Sequence, residues 1–552
     1  MGRDARGAPP SGPGALGAAF LGRRVAGLVT LIRPYRRILI GAASLLAFGA
    51  ALHARLLYAR LAEHPGHADE AFYYSVAESL ADGRGFVIDY VWQFLTPPPT
   101  LTHPSNDYWL PLASVVMAGA LAVLGKSVFA ALLPGIAAGL LLAPLLYVWS
   151  RLGSPSPLIG FAAAALVLFE PNLFAASLVT ATVIYFALLV TASLYFANRG
   201  LRAPRFFLLA AVTAGLAHLT RHDGVLLLVA LLVAIWVSPH RRRTRLTYGL
   251  LSLGLYGLTL LPWLVLNYLT LGAPFPPGAL RILFVAEYED RYAYAKELSL
   301  RAYLASGLGR ILWTKVEAAG WHLKTLWQLG GVLWIPAAVA LAEAVLRRDR
   351  RAGLARYGPA LFFLGALFAF HTLMPFSFAL VNSAVALLPV LILVAVETVR
   401  RHVAWTPVAL LLLAMLGASY YGQAFRHAGT TITLNNEVGR QLAPLRRILA
   451  NDPGRPPGED VVVMTRIPWE VHLTTRYKAV QIPNDDLDTI LAVAGRYRAN
   501  YLLLPAERKA LAGLYEGTVV DARFPLVASI PYSDPYLGPY RELRLFRIVP
   551  PS

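Results

Sequence analysis

The chain has 552 residues, of which 57% are hydrophobic and 15% charged. Soluble domains average roughly 45–50% and about 25%, so an ordinary soluble enzyme is excluded. Fifty Lys and Arg against 31 Asp and Glu give a formal charge of +19, but only six of the bases are Lys and no Lys-rich tail accompanies them, so the charge does not point to nucleic acid. With no Cys, disulfides, Cys-ligated metals and thiol nucleophiles are excluded as well.

Residues 1–37 form a basic N-terminal segment that opens with a Gly/Pro/Arg/Ala-rich stretch over 2–14, a composition that builds no packed core. Apolar runs approaching the length of a membrane-spanning helix, about 20 residues, then recur at 38–54, 128–149, 157–169, 178–197, 206–219, 224–237, 246–267, 327–346, 358–374, 377–399 and 404–422. The first is read as a retained span, because no small-residue cleavage site follows it and Ala50, Ala51 and Ala54 continue the helical pattern.

Eleven crossings with a cytoplasmic N-terminus place 22 bases and two acids, Asp4 and Asp349, in the cytoplasmic loops, whereas the facing loop 55–127 holds four bases and seven acids and loop 268–325 seven bases and five acids. Positive charge is retained on the cytoplasmic side. This topology requires the apolar stretch Trp109 to Leu124 to lie on or dip into the outer interface. After Tyr421 the composition becomes mixed, with a strand expected over 460–465, a helix over 485–497 and a strand over 500–504. That order reads as a small α/β domain, 423–552, on the same outer side.

The first outer loop carries the most informative pattern. His67-Ala68-Asp69-Glu70 opens a helical segment through Leu80, followed by Gly83-Arg84-Gly85-Phe86, His103-Pro104 and Asp107-Tyr108-Trp109-Leu110-Pro111. Adjacent carboxylates beside a span are costly near lipid, although a helix N-terminus also attracts acids. An Asp-Glu pair after the first span, the A-x-x-L-x-x-G-x-G-F pattern from Ala77 and a Pro-Tyr-Trp-rich segment before the next helix together resemble the GT-C superfamily of polytopic glycosyltransferases, in its protein-mannosyltransferase-like and aminoarabinose-transferase-like branch. The resemblance covers 38–422. It implies a lipid-phosphate-linked sugar as donor, a glycan, lipid or protein as acceptor, and Asp69 as the catalytic base, with a prokaryotic plasma membrane as the location.

The chemistry agrees independently. Inverting transfer needs one carboxylate to take the acceptor proton, while a phosphate leaving group needs cations more than an acid. Glu70 either shapes the site, binds acceptor hydroxyls or is a first-turn helix acid. Thr220-Arg221-His222-Asp223-Gly224 is a polar break between apolar helices, and either Arg221 and His222 are the donor-phosphate ligands or Arg221 and Asp223 pair to close a short turn. Arg281 is a further candidate, with Arg291 and Arg301, in the aromatic loop 268–325. His103, Asp107, Tyr108, Glu170 and Asp223 are candidate acceptor-binding or site-lining residues, and Trp469, Glu470, His472 and Arg476 are polar or aromatic groups of the last domain that could face an acceptor. Many relatives place an acid at the start of the helix after the Pro-containing turn Glu170-Pro171-Asn172, but here Ser177 to Thr182 has none. A divalent cation, Mg or Mn, therefore stays open as a cofactor, and no metal ligand is assigned. A transporter or lipid flippase and a non-catalytic GT-C-like scaffold of cell-envelope synthesis are the alternatives. The first is disfavoured because the acids cluster in loops rather than at mid-membrane.

Overall fold

The computed structural model describes residues 36–154, 156–346, 350–374, 380–403, 406–455, 458–505, 508–533 and 542–549. The basic N-terminal segment lies outside these residues except at its end, as does Asp349. The chain divides at Ala50 into two units. The first contributes the opening of the helix Arg36–Leu61, with Ile38, Leu39, Leu45 and Leu46 exposed. Everything that follows concerns the second unit, from Ala51 on.

Among the described residues, seven helices are long and apolar enough to cross a membrane and five more apolar helices are shorter. Each expected span overlaps one of these twelve; the remaining one is Leu112–Leu124, the stretch read as interfacial. Several boundaries differ from expectation: Leu308–Leu346 begins inside the stretch expected as the outer loop 268–325, and Pro407–Ala450 runs well past residue 422. The first helix runs on to Leu61, so Arg55 belongs to the helix, fully buried, where it donates to Ser177 Oγ (2.9 Å) and the Leu168 carbonyl (2.9 Å) and lies over Phe174 (4.2 Å). Residues 177–182 are irregular and the helix begins at Val183. Their hydroxyls serve other segments: Ser177 accepts from Arg55, and Thr180 donates to the carbonyls of Pro65 and Glu70.

The C-terminal region contains the expected strand–helix–strand order as Val462–Thr465 (β4), Leu487–Tyr497 and Tyr501–Leu504 (β6). The helix starts at Leu487 because the Asp486 side chain caps it, accepting from the Thr489 amide at 2.8 Å. The complete sheet has six strands in the order β2-β5-β4-β6-β8-β7, with β5 at Lys478–Gln481, β7 at Leu526–Pro531 and β8 at Glu542–Arg547. Its edge strand β2, Tyr90–Val91, comes from the first outer loop and pairs in parallel with Ala479 and Val480. Val91, Phe94 and Leu101 of that loop share a core with Val462, Met464, Val480, Ile490 and Leu502. Two further pieces of the loop, β1 (Val87–Ile88) and β3 (His103–Pro104), form a separate antiparallel pair. The composition change near residue 422 falls inside one unbroken helix, Thr406–Ala450.

Candidate functional site

Asp69 and Glu70 occupy the first turn of the helix Asp69–Ala81, where the helix dipole favours negative charge. The turn entering this helix is held from several directions. Asn436 accepts from the amides of Glu63 (2.8 Å) and His64 (3.2 Å) and donates to the Leu61 carbonyl (2.7 Å). Thr180 donates to the carbonyls of Pro65 (3.2 Å) and Glu70 (2.9 Å). Gly66 sits at φ 128°, and a Cβ there would come within 2.8 Å of the Glu70 Cβ, so only glycine fits.

The polar break at 220–224 folds into a tight turn beside this helix. Gly224 lies against backbone, since an added Cβ would stand 2.3 Å from the His218 nitrogen. Arg221 donates from Nε to Ser383 Oγ (3.2 Å) and from Nη1 to Thr182 Oγ1 (3.4 Å), and its Nε lies 3.5 Å from Asp223. Asp223 also faces His371 Nε2 at 3.4 Å and accepts a short bond from Ser383. Burial works against its ionisation, yet Arg221, His371 and Ser383 hold it well below the usual carboxylate range. Asp223 therefore works as a fixed anion orienting Arg221. His222 places Nε2 3.0 Å from the Tyr108 carbonyl, and burial lowers its pKa, so it is a neutral ring steadying the Tyr108 backbone.

The third component comes from the second large loop. Asp290 accepts from the amides of Ala286 (3.1 Å) and Glu287 (2.9 Å), forming the short turn that presents the buried Arg291, whose guanidinium lies 4.1 Å from the Tyr288 ring centre. Arg291 and Arg221 both lie close enough to Asp69 and Tyr108 to favour their ionisation. Asp69 and Glu70 retain part of their surface. Burial raises the Asp69 pKa, and Arg221, Arg291 and His67 pull against that rise. Burial first, and the neighbouring Asp69 second, push Glu70 up to about 7.

Other expected residues lie apart from this arrangement. Arg281 is exposed and donates to the Leu95 carbonyl at 2.7 Å, so Arg291, and not Arg281, is the loop arginine acting on Asp69. Glu170 caps the helix Pro171–Ala176, accepting from the Leu173 amide (2.7 Å) and Asn172 (2.9 Å). His103 is buried in β3 with Nδ1 against the Leu101 carbonyl (3.0 Å), and burial lowers it to about 4. Asp107 is buried and is pushed up to about 7 by that burial. A polar cleft of about 140 Å³ opens farther along the Asp69 helix. Its carboxylates Glu78, Asp82 and Asp89 are already paired with Arg476, Lys126 and Arg84, and Asp69 lies outside it.

Residues 102–266 match the family model described as dolichyl-phosphate-mannose-protein mannosyltransferase, a window that includes Tyr108 and Arg221 and begins after Asp69. No curated protein matches the chain in sequence. In structure, ArnT from Cupriavidus metallidurans in the apo state aligns over 94% of this chain and 100% of its own, at 15% identity and a TM-score of 0.54. The same protein bound to undecaprenyl phosphate aligns over 93% and 99%, at 16% identity and 0.53. The Archaeoglobus fulgidus oligosaccharyltransferase in the apo form aligns over 84% of this chain and 70% of its own, at 13% identity and 0.53. The chain has the GT-C fold. Within that fold, the Asp69 helix, the Arg221 turn and the Arg291 loop come together from three separate stretches of sequence.

Proposed function

We propose that the protein is a membrane glycosyltransferase that moves a sugar from a polyprenyl-phosphate carrier to an extracytoplasmic acceptor. The observation that carries this reading is Asp69 in the first turn of its helix, with Arg221 and the buried Arg291 brought from two separate loops to where they bias its charge. Asp69 takes the acceptor hydroxyl proton as that oxygen bonds to the anomeric carbon. The bond from that carbon to the phosphate oxygen breaks, and Arg221 and Arg291 stabilise the charge left on the phosphate. Tyr108 lines the same site, and His222 and Asp223 hold Tyr108 and Arg221 in place. Undecaprenyl phosphate in the ArnT structure, and dolichol-phosphate with an inhibitory peptide in the Archaeoglobus fulgidus AglB, support a lipid-phosphate donor.

A divalent cation does not suit the residues present. Thr180 and Thr182 stand where an acid would be expected, and both hydroxyls are engaged. Among the described residues no three His, Asp or Glu side chains converge as metal ligands. The two arginines supply the charge compensation instead. Mass spectrometry of wild type and Asp69→Asn, incubated with a panel of polyprenyl-phosphate sugars, tests the reading. Carrier release by wild type and its loss in the folded variant is the expected result; equal turnover by both would remove Asp69 from its role and favour the scaffold alternative.

A further inference from the structure

The residue before Asp69 is held by the last third of the chain. Ala68 has φ 46° and ψ −98°, a conformation that a residue with a Cβ adopts only when its surroundings enforce it. The enforcing group is Glu470, fully buried near the start of the helix Pro468–Thr475. Its Oε1 accepts from the Ala68 amide at 2.9 Å and lies 2.5 Å from His67 Nδ1. The same short helix grips the Asp69 helix at two further places. Trp469 packs on Trp92 (5.8 Å between rings), Trp92 on Trp109 (4.8 Å) and Trp109 on Phe72 (4.8 Å). Arg476, at the C-terminal end of the helix, clasps Glu78 with two hydrogen bonds of 2.8 and 3.1 Å. The Asp69 helix is thus held at its entry, along its flank and near its end.

We propose that Glu470 is a positioning residue for Asp69, fixing the Ala68 peptide and His67 so that the carboxylate is aimed at the acceptor, and that the C-terminal α/β region is in this way part of the active site. The proposal rests on the reading of Asp69 as the base. Displacing a reacting group by about 1 Å costs on the order of 100-fold in rate, so loss of this anchor acts on turnover more than on binding of a donor whose phosphate is held by Arg221 and Arg291.

The test uses the full-length protein in nanodiscs and compares wild type, Glu470→Ala, Glu470→Gln and Asp69→Asn by hydrogen exchange and by donor turnover. Glu470→Ala should raise exchange in the peptide 62–72 at least about tenfold while β5 peptides stay protected, and should lower kcat on the order of 10–100-fold with donor KM nearly unchanged. Glu470→Gln keeps a carbonyl acceptor for the Ala68 amide but loses the charge facing His67, so it should fall between the two, and it decides the matter where the alanine variant does not fold. Unchanged exchange at 62–72, or unchanged kcat, overturns the proposal. Asp69→Asn leaves the anchor in place, so its exchange pattern should match wild type. If wild type turns over no donor, the functional reading falls while the exchange result alone still decides whether Glu470 holds the Ala68 turn.

Discussion

At the scale of single residues, the site depends on a balance acting on Asp69. Burial makes the carboxylate a stronger base, and Arg221 and Arg291 pull against that rise. General-base groups contribute about 10²–10⁴-fold to rate, so Asp69→Asn should lower turnover by that order. Its thermal midpoint should not fall, because a neutral amide avoids the cost of burying charge. The base acts only when ionised, so wild-type activity should be lost as pH falls through an acid limb lying above the ordinary aspartate range. Removing a cation raises a carboxylate pKa, so Arg291→Met should move that limb to higher pH and also weaken donor binding, as read from pH–rate profiles at saturating and limiting donor. The sequence offers Asp69 and Arg221 as candidates because each sits in a short polar motif flanking apolar helices. The choice of Arg291 over Arg281 is not legible there, since both lie in one aromatic loop and only the turn capped by Asp290 decides which one faces Asp69.

Among the elements, legibility followed length and periodicity. The long apolar helices and the strand–helix–strand order after residue 460 each carry their own signal. The two-residue strand Tyr90–Val91 does not, since its partner strand lies almost 400 residues away and pairing over that distance leaves no local pattern. The apolar composition of 178–182 predicts a continuation of the helix, whereas Ser177 and Thr180 are committed to side-chain bonds with other segments. The Arg221 turn depends on Gly224 for a related steric reason. An added Cβ would meet the backbone nitrogen and Cα of His218 at 2.3 and 2.4 Å, and backbone cannot move aside as a flexible side chain can. Gly224→Ala should therefore cost about 1–3 kcal/mol of stability and displace Arg221 and His222 together. Donor KM should rise along with the loss of kcat, unlike the kcat-selective loss expected at Glu470; thermal unfolding and steady-state kinetics on the same preparation separate the two.

For the molecule as a whole, the two ends of the helical bundle differ in charge. Arg202 donates to the Leu152 carbonyl (2.7 Å) and His240 contacts the Gly200 carbonyl (2.8 Å), so the basic loops 150–156, 198–205 and 238–245 meet at one end. The helix Phe206–His218 leads from that end to the Arg221 turn, a rise of about 20 Å at about 1.5 Å per residue. The Asp69 site and the basic loops thus lie at opposite ends of a helix, and the proposed topology, with Arg retained in the cytoplasm, puts the site on the outer side. The absence of native cysteine makes this directly measurable, because any single introduced cysteine is the only thiol. Lys509→Cys, exposed in the α/β region, should react with a membrane-impermeant maleimide on intact cells, and Arg243→Cys, exposed in the first turn of the helix Arg242–Leu271, only after permeabilisation. The reverse pattern would turn the site toward the cytoplasm, where soluble nucleotide sugars are available, and would remove the reason for a lipid-linked donor.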